Sequence, residues 1–314
     1  MASEPGASDG ARSRPEQGRL GSGLSRPRVW WLASRPATLA ASVSPVLAGT
    51  AVAVHDGHGR AWAALTALLV ALAMQVGVNY ANDYSDHVHG ADRRRVGPLR
   101  AASSGLVPAG QVKAAALAAF GVAAVAGLAL CLSTDWRLLP LGALAIVAGW
   151  TYTGGPWPYG YRGLGEVFVF TFFGLFATVA TTYVQELRVP PAAWAAGACT
   201  GFMACAVLGL NNLRDLDTDA EAGKRTLAVR LGRGGARGVI VGLYAATVAI
   251  TVTSVVAGWT PASAALSLLV VPLALTVIRA SASPDPSALV EALRRAARLE
   301  IWWALLWALG LVLG

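Results

Sequence analysis

Two polar stretches hold the side chains best suited to chemistry: Asn79-Tyr-Ala-Asn-Asp-Tyr-Ser-Asp86 and Asn211-Asn-Leu-Arg-Asp-Leu-Asp-Thr-Asp219. Seven of the 17 acidic residues fall between positions 79 and 92 or between 211 and 221. On a helix Asn79, Asp83 and Asp86 stand at i, i+4 and i+7 and share a face, and Asn82 and Asp86 are likewise four apart. Asn211, Asp215 and Asp219 stand at i, i+4 and i+8, with Asp217 pointing away to solvent. Carboxylates crowded at this spacing repel one another unless a cation sits among them. Oxygen donors with Asn carbonyls alongside suit Mg²⁺, which keeps several waters and is completed by a substrate's phosphates. An EF-hand is excluded, because neither stretch has its loop spacing or its closing Glu.

Cations stand beside both stretches. Arg93, Arg94, Arg95 and Arg100 follow the first, and Lys224 and Arg225 follow the second in Gly-Lys-Arg-Thr. Carboxylate-held metal flanked by basic groups makes a phosphate trap, in which both share the charge that develops on a leaving diphosphate. For Arg93 and Arg94, anchoring at a membrane face explains the residues equally well. A third element, Tyr152-Thr-Gly-Gly-Pro-Trp-Pro-Tyr-Gly-Tyr-Arg-Gly-Leu-Gly-Glu166, is broken by Gly and Pro. It offers Tyr152, Arg162 and Glu166 to a polar aromatic substrate, or else forms a tight aromatic-anchored loop. Arg35, before Pro36, can reach a phosphate or an acidic substrate. His87 is at most a minor contact, and no catalytic triad is expected.

The elements that carry these residues are apolar. Of 314 residues 55% are hydrophobic and 13% charged, about half the charge of a soluble domain. Apolar windows fall at 37–54, 61–81, 112–132, 138–154, 164–184, 191–211, 238–258, 262–279 and 297–313. Each is near the 17–25 residues that cross the hydrocarbon. They predict an all-α polytopic membrane protein of about nine transmembrane helices, with the short fourth and ninth leaving eight or ten open. With the N terminus inside, the inner segments and adjoining span ends hold 22 of the 25 Lys and Arg, and only Arg60, Arg137 and Arg188 lie outside. That asymmetry predicts a cytoplasmic N terminus and puts both acidic stretches on the cytoplasmic side. The net charge of +8 then reflects topology and anionic lipid rather than nucleic acid.

Residues 1–28, rich in Gly, Ser, Pro and Arg, read as a disordered cytoplasmic tail, leaving 29–314 as the transmembrane domain. Tryptophans near span ends, among them Trp30, Trp31, Trp302 and Trp303, suggest an interfacial belt. Cys131, Cys199 and Cys205 lie in apolar stretches without metal-site spacing and read as core. The echo between the spans that end in the two acidic stretches fits parallel duplication or convergence on a common ligand equally well.

The chain resembles the intramembrane aromatic prenyltransferases, and more narrowly their menaquinone-pathway members. The resemblance rests on Asn79–Asp86 continuing through Gly90 and Asp92, Arg95-Val-Gly-Pro-Leu-Arg100, Tyr152–Pro156, Gly163-Leu-Gly-Glu166, and Asn211–Asp215 through Gly223-Lys-Arg-Thr-Leu-Ala-Val-Arg-Leu-Gly232. Ser34–Leu39 adds a weaker match, and the likeness covers about residues 30–314.

The resemblance implies helices around a central lipid-accessible cavity. It also implies transfer of a polyprenyl group from polyprenyl diphosphate to 1,4-dihydroxy-2-naphthoate, with loss of diphosphate and CO₂. Demethylmenaquinone follows once the quinol first formed is oxidised. Asn82, Asp83 and Asp86 would form one Mg²⁺ site, and Asn211, Asp215 and Asp219 the other. Lys224 and Arg225 would contact diphosphate. Beside what the resemblance implies, the residues themselves make Arg35, Asn79, Asn82, Arg95, Arg100, Tyr152, Arg162, Asn211 and Asn212 candidate substrate contacts. Ubiquinone-type members tend to carry a third Asp where this chain has Gly90, a departure that favours the menaquinone-type reading. Another aromatic acceptor is the alternative within this chemistry. A cation-coupled transporter is disfavoured, because transporter sites lie near the membrane midplane.

Overall fold

The computed structural model describes residues 23–89 and 99–314. The described residues are helical throughout, with no strand. In chain order the helices are α1 (Arg26–Ala33), α2 (Ala40–His55), α3 (Ala61–Val88), α4 (Ala109–Ser133), α5 (Leu139–Thr151), α6 (Gly165–Glu186), α7 (Pro191–Arg214), α8 (Leu216–Glu221), α9 (Leu227–Val256), α10 (Val271–Ala280) and α11 (Pro286–Leu313). Eight segments are long and apolar enough to cross a bilayer: α2 with its leading turn from Pro36, α3, α4, α6, α7, α9, Ala262–Ala280 ending in α10, and α11. The fourth expected span is the shorter helical stretch Trp136–Thr151, roughly 24 Å at 1.5 Å per residue.

Several elements are longer than their apolar windows. Helix α3 runs on to Val88, so the whole first acidic stretch is helical. Helix α11 opens at Pro286, where the Asp285 side chain accepts from the Ser287 amide at 2.9 Å. This early start puts Trp303 and Trp307 well inside the helix, stacked at 5.0 Å and buried. Trp303 therefore belongs to the core and not to the interfacial belt. Helix α1 opens at Arg26 with proline in its first turn, a favoured N-terminal position, so the helical fold begins inside the segment expected as tail. The rest of that tail, residues 1–22, lies outside the described residues.

Small side chains let the helices approach closely. Gly174 lies so near Gly201 of α7 that a Cβ on it would overlap the backbone there. Around Gly174, helix α6 widens into a π-helical segment, Phe170–Phe176, a distortion common at functional sites. Phe168, Phe172 and Phe173 line a cavity at the motif-bearing end of the bundle. Gly232, at φ 69° and ψ 175°, breaks α9 before its long apolar run.

Candidate active site

The two acidic stretches meet across one cavity. Asn79, Asn82 and Asp86 of α3 line it with Asn211, Asn212, Asp215 and Asp219, and its empty space is about 1200 Å³. Arg35, Arg100, Tyr152, Tyr161 and Lys224 complete the polar wall. The phenylalanines of α6 turn the other side apolar. Ala41, Met74, Phe172 and Phe173 also line an adjoining apolar chamber of about 1270 Å³ between α2, α3, α4, α5 and α6. A polar mouth thus shares a wall with a space fit for a hydrocarbon chain.

Asp86 is the hub of the site. Its carboxylate accepts from Arg100 and from the Tyr161 hydroxyl, and from Lys224 Nζ at 3.1 Å. Lys224 also lies 3.5 Å from Asp219, so one ammonium joins the two stretches. It sits over the Tyr161 ring at 4.6 Å, a favourable place for a cation. Asn82 Oδ1 accepts from Thr153 at 2.7 Å. Asp215 is held on two oxygens by Arg214, at 2.7 and 2.6 Å, and the same guanidinium donates to Asn211 Oδ1 at 2.8 Å.

Burial first, then repulsion from Asp215 and Asp86, raises the Asp219 carboxyl to about 6 despite the attraction of Lys224. Burial likewise raises the Tyr152 hydroxyl far above its ordinary range, so it stays protonated at neutral pH and remains a donor.

Some expected contacts have other duties. Asp83 is turned from the cavity: its carboxylate accepts the backbone N–H groups of Ala101 and Ala102 at 2.6 and 3.2 Å, and more distantly that of Ser103. It lies one helix position, about 100°, from Asn82 and so faces the Ala101 turn. Asn79 lines the cavity, but its amide donates to the Ser34 carbonyl at 2.8 Å and to Thr38 at 3.0 Å. It therefore clamps the turn that presents Arg35, whose φ of 54° is unusual for a residue with a Cβ. The second stretch is not one helix. The chain breaks at Asp215, and Asp219 follows on α8.

Arg162 is exposed and lies over Trp157 at 4.9 Å, away from the cavity. Arg225 is also exposed, its amide donating to the Tyr161 carbonyl at 2.7 Å. His87 is exposed, and Asp217 pairs with Arg233 at 2.6 Å, away from the site. Arg93, Arg94 and Arg95, with Asp92, lie outside the described residues.

Three participants were not singled out from sequence: Thr153, Tyr161 and Arg214. Thr153 and Tyr161 belong to the Gly- and Pro-broken element that ends at Glu166. Arg214 stands between Asn211 and Asp215, and its adjacency to a carboxylate was the available signal.

Comparison with known proteins agrees with this architecture. Residues 42–306 match the UbiA prenyltransferase family, and the chain belongs to that family. Among similar proteins, the 1,4-dihydroxy-2-naphthoate octaprenyltransferase of Mycobacterium tuberculosis is 43% identical over 290 residues, spanning 91% of this chain and 97% of that protein. The enzyme of the same description from Escherichia coli is 40% identical over 221 residues, 68% of this chain and 72% of that one. The fold is similar to that of a UbiA homolog from Aeropyrum pernix, with a TM-score of 0.66 at 16% identity over 87% of this chain and 97% of that one. It is also similar to a UbiA homolog from Archaeoglobus fulgidus bound to GPP and Mg²⁺, with a TM-score of 0.65 at 14% identity over 89% and 99% of the two chains.

Proposed function

We propose that this protein transfers a polyprenyl group from polyprenyl diphosphate to 1,4-dihydroxy-2-naphthoate, releasing diphosphate and CO₂. The observation that carries the reaction class is the Lys224 bridge between Asp86 and Asp219 at the mouth of a cavity that adjoins an apolar chamber. The choice of naphthoate is supported by the two octaprenyltransferases, of which this chain shares 43% and 40% of residues over the aligned lengths.

The residues fit Mg²⁺ as cofactor. Every donor facing the cavity from Asn82, Asp86, Asn211, Asp215 and Asp219 is an oxygen, the preference of this ion. Among the described residues no three carboxylates converge on one point. The set thus suits a cation bound by one or two carboxylates at a time and completed by substrate phosphates. Bound there, Mg²⁺ would neutralise the diphosphate as it leaves.

Arg100 and Lys224 bind phosphate oxygens in this reading, releasing part of their hold on Asp86. Arg35 takes the naphthoate carboxylate, with Tyr152 donating a hydrogen bond. The allylic carbon–oxygen bond breaks and its electron pair departs with diphosphate. The electron-rich ring forms the new carbon–carbon bond at its carboxyl-bearing carbon. Loss of CO₂ then returns the bonding electrons to the ring, leaving the prenylated quinol. Phe168, Phe172 and Phe173 keep water from the electron-poor allyl group, and the adjoining chamber holds the rest of the chain.

The fold-bearing unit in this reading is one transmembrane domain that starts near Arg26, with the tail before it in the cytoplasm. The site opens to the cytoplasm, as supported by the 22 of 25 basic residues on that side of the span pattern. Protein depleted of divalent cations should make no prenylated product, and added Mg²⁺ should restore turnover. Full activity in excess EDTA would reject this use of the carboxylates.

A further inference from the structure

Gln75 lies one turn before Asn79 on α3 and lines the catalytic cavity beside Met74, which also borders the apolar chamber. The residue is 7% exposed, and the surface it keeps faces that cavity. Asn82 stands seven positions further on, about 10 Å along the helix axis at 1.5 Å per residue. Gln75 is thus set back from the carboxylates and cations of the mouth, toward the apolar side.

The hydrogen bonds around Gln75 fix which end of its amide is left for the cavity. A backbone carbonyl can only accept, so the 2.8 Å bond to Ser34 places the Asn79 nitrogen there and leaves Asn79 Oδ1 as an acceptor. Gln75 Nε2 donates to that oxygen at 3.3 Å and to Thr38 Oγ1 at 3.2 Å. Thr38 donates its own proton to the Arg35 carbonyl at 2.9 Å, so its Oγ1 receives both amides, that of Asn79 at 3.0 Å. Every donor of the three side chains is thereby engaged within the network. One acceptor is left over: among the described residues nothing donates to Gln75 Oε1. That oxygen is not sealed in, and the cavity is what it opens to.

An acceptor held this way selects its guest by the guest's donors. A prenyl chain has none, and diphosphate presents oxygens that themselves need donors or metal. Waters on a cation at Asn82 and Asp86 would lie about 10 Å or more further along α3. On the function proposed above, on which this inference rests, the remaining donors are the two hydroxyls of the naphthoate. Thr38 ties Gln75 to the turn that presents Arg35, the residue given the carboxylate. The hydroxyl on the neighbouring ring carbon is the donor that follows. We propose that Gln75 Oε1 accepts a hydrogen bond from the hydroxyl next to the carboxyl-bearing carbon, as a specificity-determining catalytic residue.

That contact strengthens as the reaction proceeds. When the carboxyl-bearing carbon bonds to the prenyl carbon, positive charge develops on the adjacent carbon and is shared by its hydroxyl oxygen. The O–H becomes a stronger donor, and an acceptor already in place favours this state over the ground state. The bond to the carboxylate then breaks, its electron pair cancels the charge on the ring, and CO₂ leaves. The hydroxyl keeps its proton throughout, so a neutral amide suffices and no base is needed.

The test uses the full chain in lipid nanodiscs and two isomers of equal size and charge. One, 1-hydroxy-2-naphthoate, keeps the adjacent hydroxyl, and the other, 4-hydroxy-2-naphthoate, lacks it. Calorimetry with Mg²⁺ and diphosphate present gives both dissociation constants, and prenyl transfer to 1,4-dihydroxy-2-naphthoate is measured on the same preparations. The unaltered protein should bind the 1-hydroxy isomer about tenfold more tightly. Gln75→Met keeps the length of the side chain without its acceptor, and should bring the two affinities within about twofold of each other. It should also lower kcat for the dihydroxy acid by roughly tenfold, with KM for the prenyl diphosphate changed by less than about twofold. An affinity ratio unchanged in Gln75→Met, with both isomers weakened alike or not at all, would overturn the proposal. A residue that only braces the Arg35 turn would act in that way, through the carboxylate both isomers share. Equal affinity of the unaltered protein for the two isomers would overturn it without any variant. Failure of the unaltered protein to prenylate the dihydroxy acid would instead reject the function, whatever the isomer ratio.

Discussion

Asp83 and Asp86 are three residues apart on α3 and do different work. Asp86 gathers Arg100, Tyr161 and Lys224 at the cavity, whereas Asp83 collects backbone amides of the turn at Ala101. Asp86→Ala should therefore lower kcat by roughly 10²–10³-fold, the usual loss when a group that supports developing charge is removed, while the protein still inserts. Asp83→Ala should also be inactive, but through loss of the turn that carries Arg100, with a lower Tm. Asp83→Asn keeps an oxygen that accepts these amides, and should recover part of the activity with an unchanged Mg²⁺ requirement. A raised Mg²⁺ requirement in Asp83→Asn would return that residue to the metal site.

Asp219 adds a pH signature. With its carboxyl raised to about 6, the metal-free site holds a proton there below that pH, and a divalent cation must displace it. Apparent Mg²⁺ affinity should fall by up to about tenfold per pH unit below pH 6 and be flat with respect to this group above it. Titration of Mg²⁺ activation between pH 5 and 8 reads this directly, and Asp219→Asn should remove the slope.

At the scale of elements, spacing foretold the helix of the first stretch better than that of the second. Helix α3 continues past its apolar window, so Asn79–Asp86 is helical, but the cavity face is Asn79, Asn82 and Asp86 at i, i+3 and i+7, with Asp83 turned to the Ala101 turn. In the second stretch the helix breaks at Asp215, and the link to the first is made by Lys224 from beyond α8. Helical spacing alone cannot convey a contact of that kind, since it depends on where the chain turns back. The same limit hid Tyr161, which reaches Asp86 across 75 positions of sequence.

The turn at Arg35 is held by Asn79 against an unusual backbone conformation, and such strain survives only where neighbours enforce it. Asn79→Ala should raise KM for the aromatic acid more than it lowers kcat, whereas an equal fall in kcat with KM unchanged would speak against a positioning role. The α6–α7 crossing has no room for a side chain at Gly174. Gly174→Leu should lower Tm by several degrees or prevent insertion, since overpacking of this kind typically costs about 1–3 kcal/mol.

For the whole molecule, the apolar windows conveyed an all-helical membrane protein because bilayer thickness sets span length independently of packing. They conveyed less about edges. The amphipathic starts of α9 and α11 have a polar side, so a hydropathy window begins too late and misplaces Trp303 at a boundary. The cavity itself was legible only through resemblance to the family, because a void is a property of several helices together. Its proposed cytoplasmic opening can be checked by adding a single cysteine at exposed Glu221 or exposed Trp136 to a protein whose three native cysteines are buried. An impermeant thiol reagent should reach position 221 only from the cytoplasmic side and position 136 only from the other. The reverse pattern would invert the topology.

The central claim is that the acidic cavity joins a prenyl chain to a naphthoate ring at the carbon that loses CO₂. Purified protein supplied with a polyprenyl diphosphate, Mg²⁺ and 1,4-dihydroxy-2-naphthoate labelled with ¹³C in its carboxyl group tests this most directly. The account predicts a prenylated naphthoquinol by mass spectrometry, free of label, with labelled CO₂ and diphosphate released in equal amounts. A prenylated product that keeps the carboxyl label, or transfer to 4-hydroxybenzoate but not to the naphthoate, would contradict it.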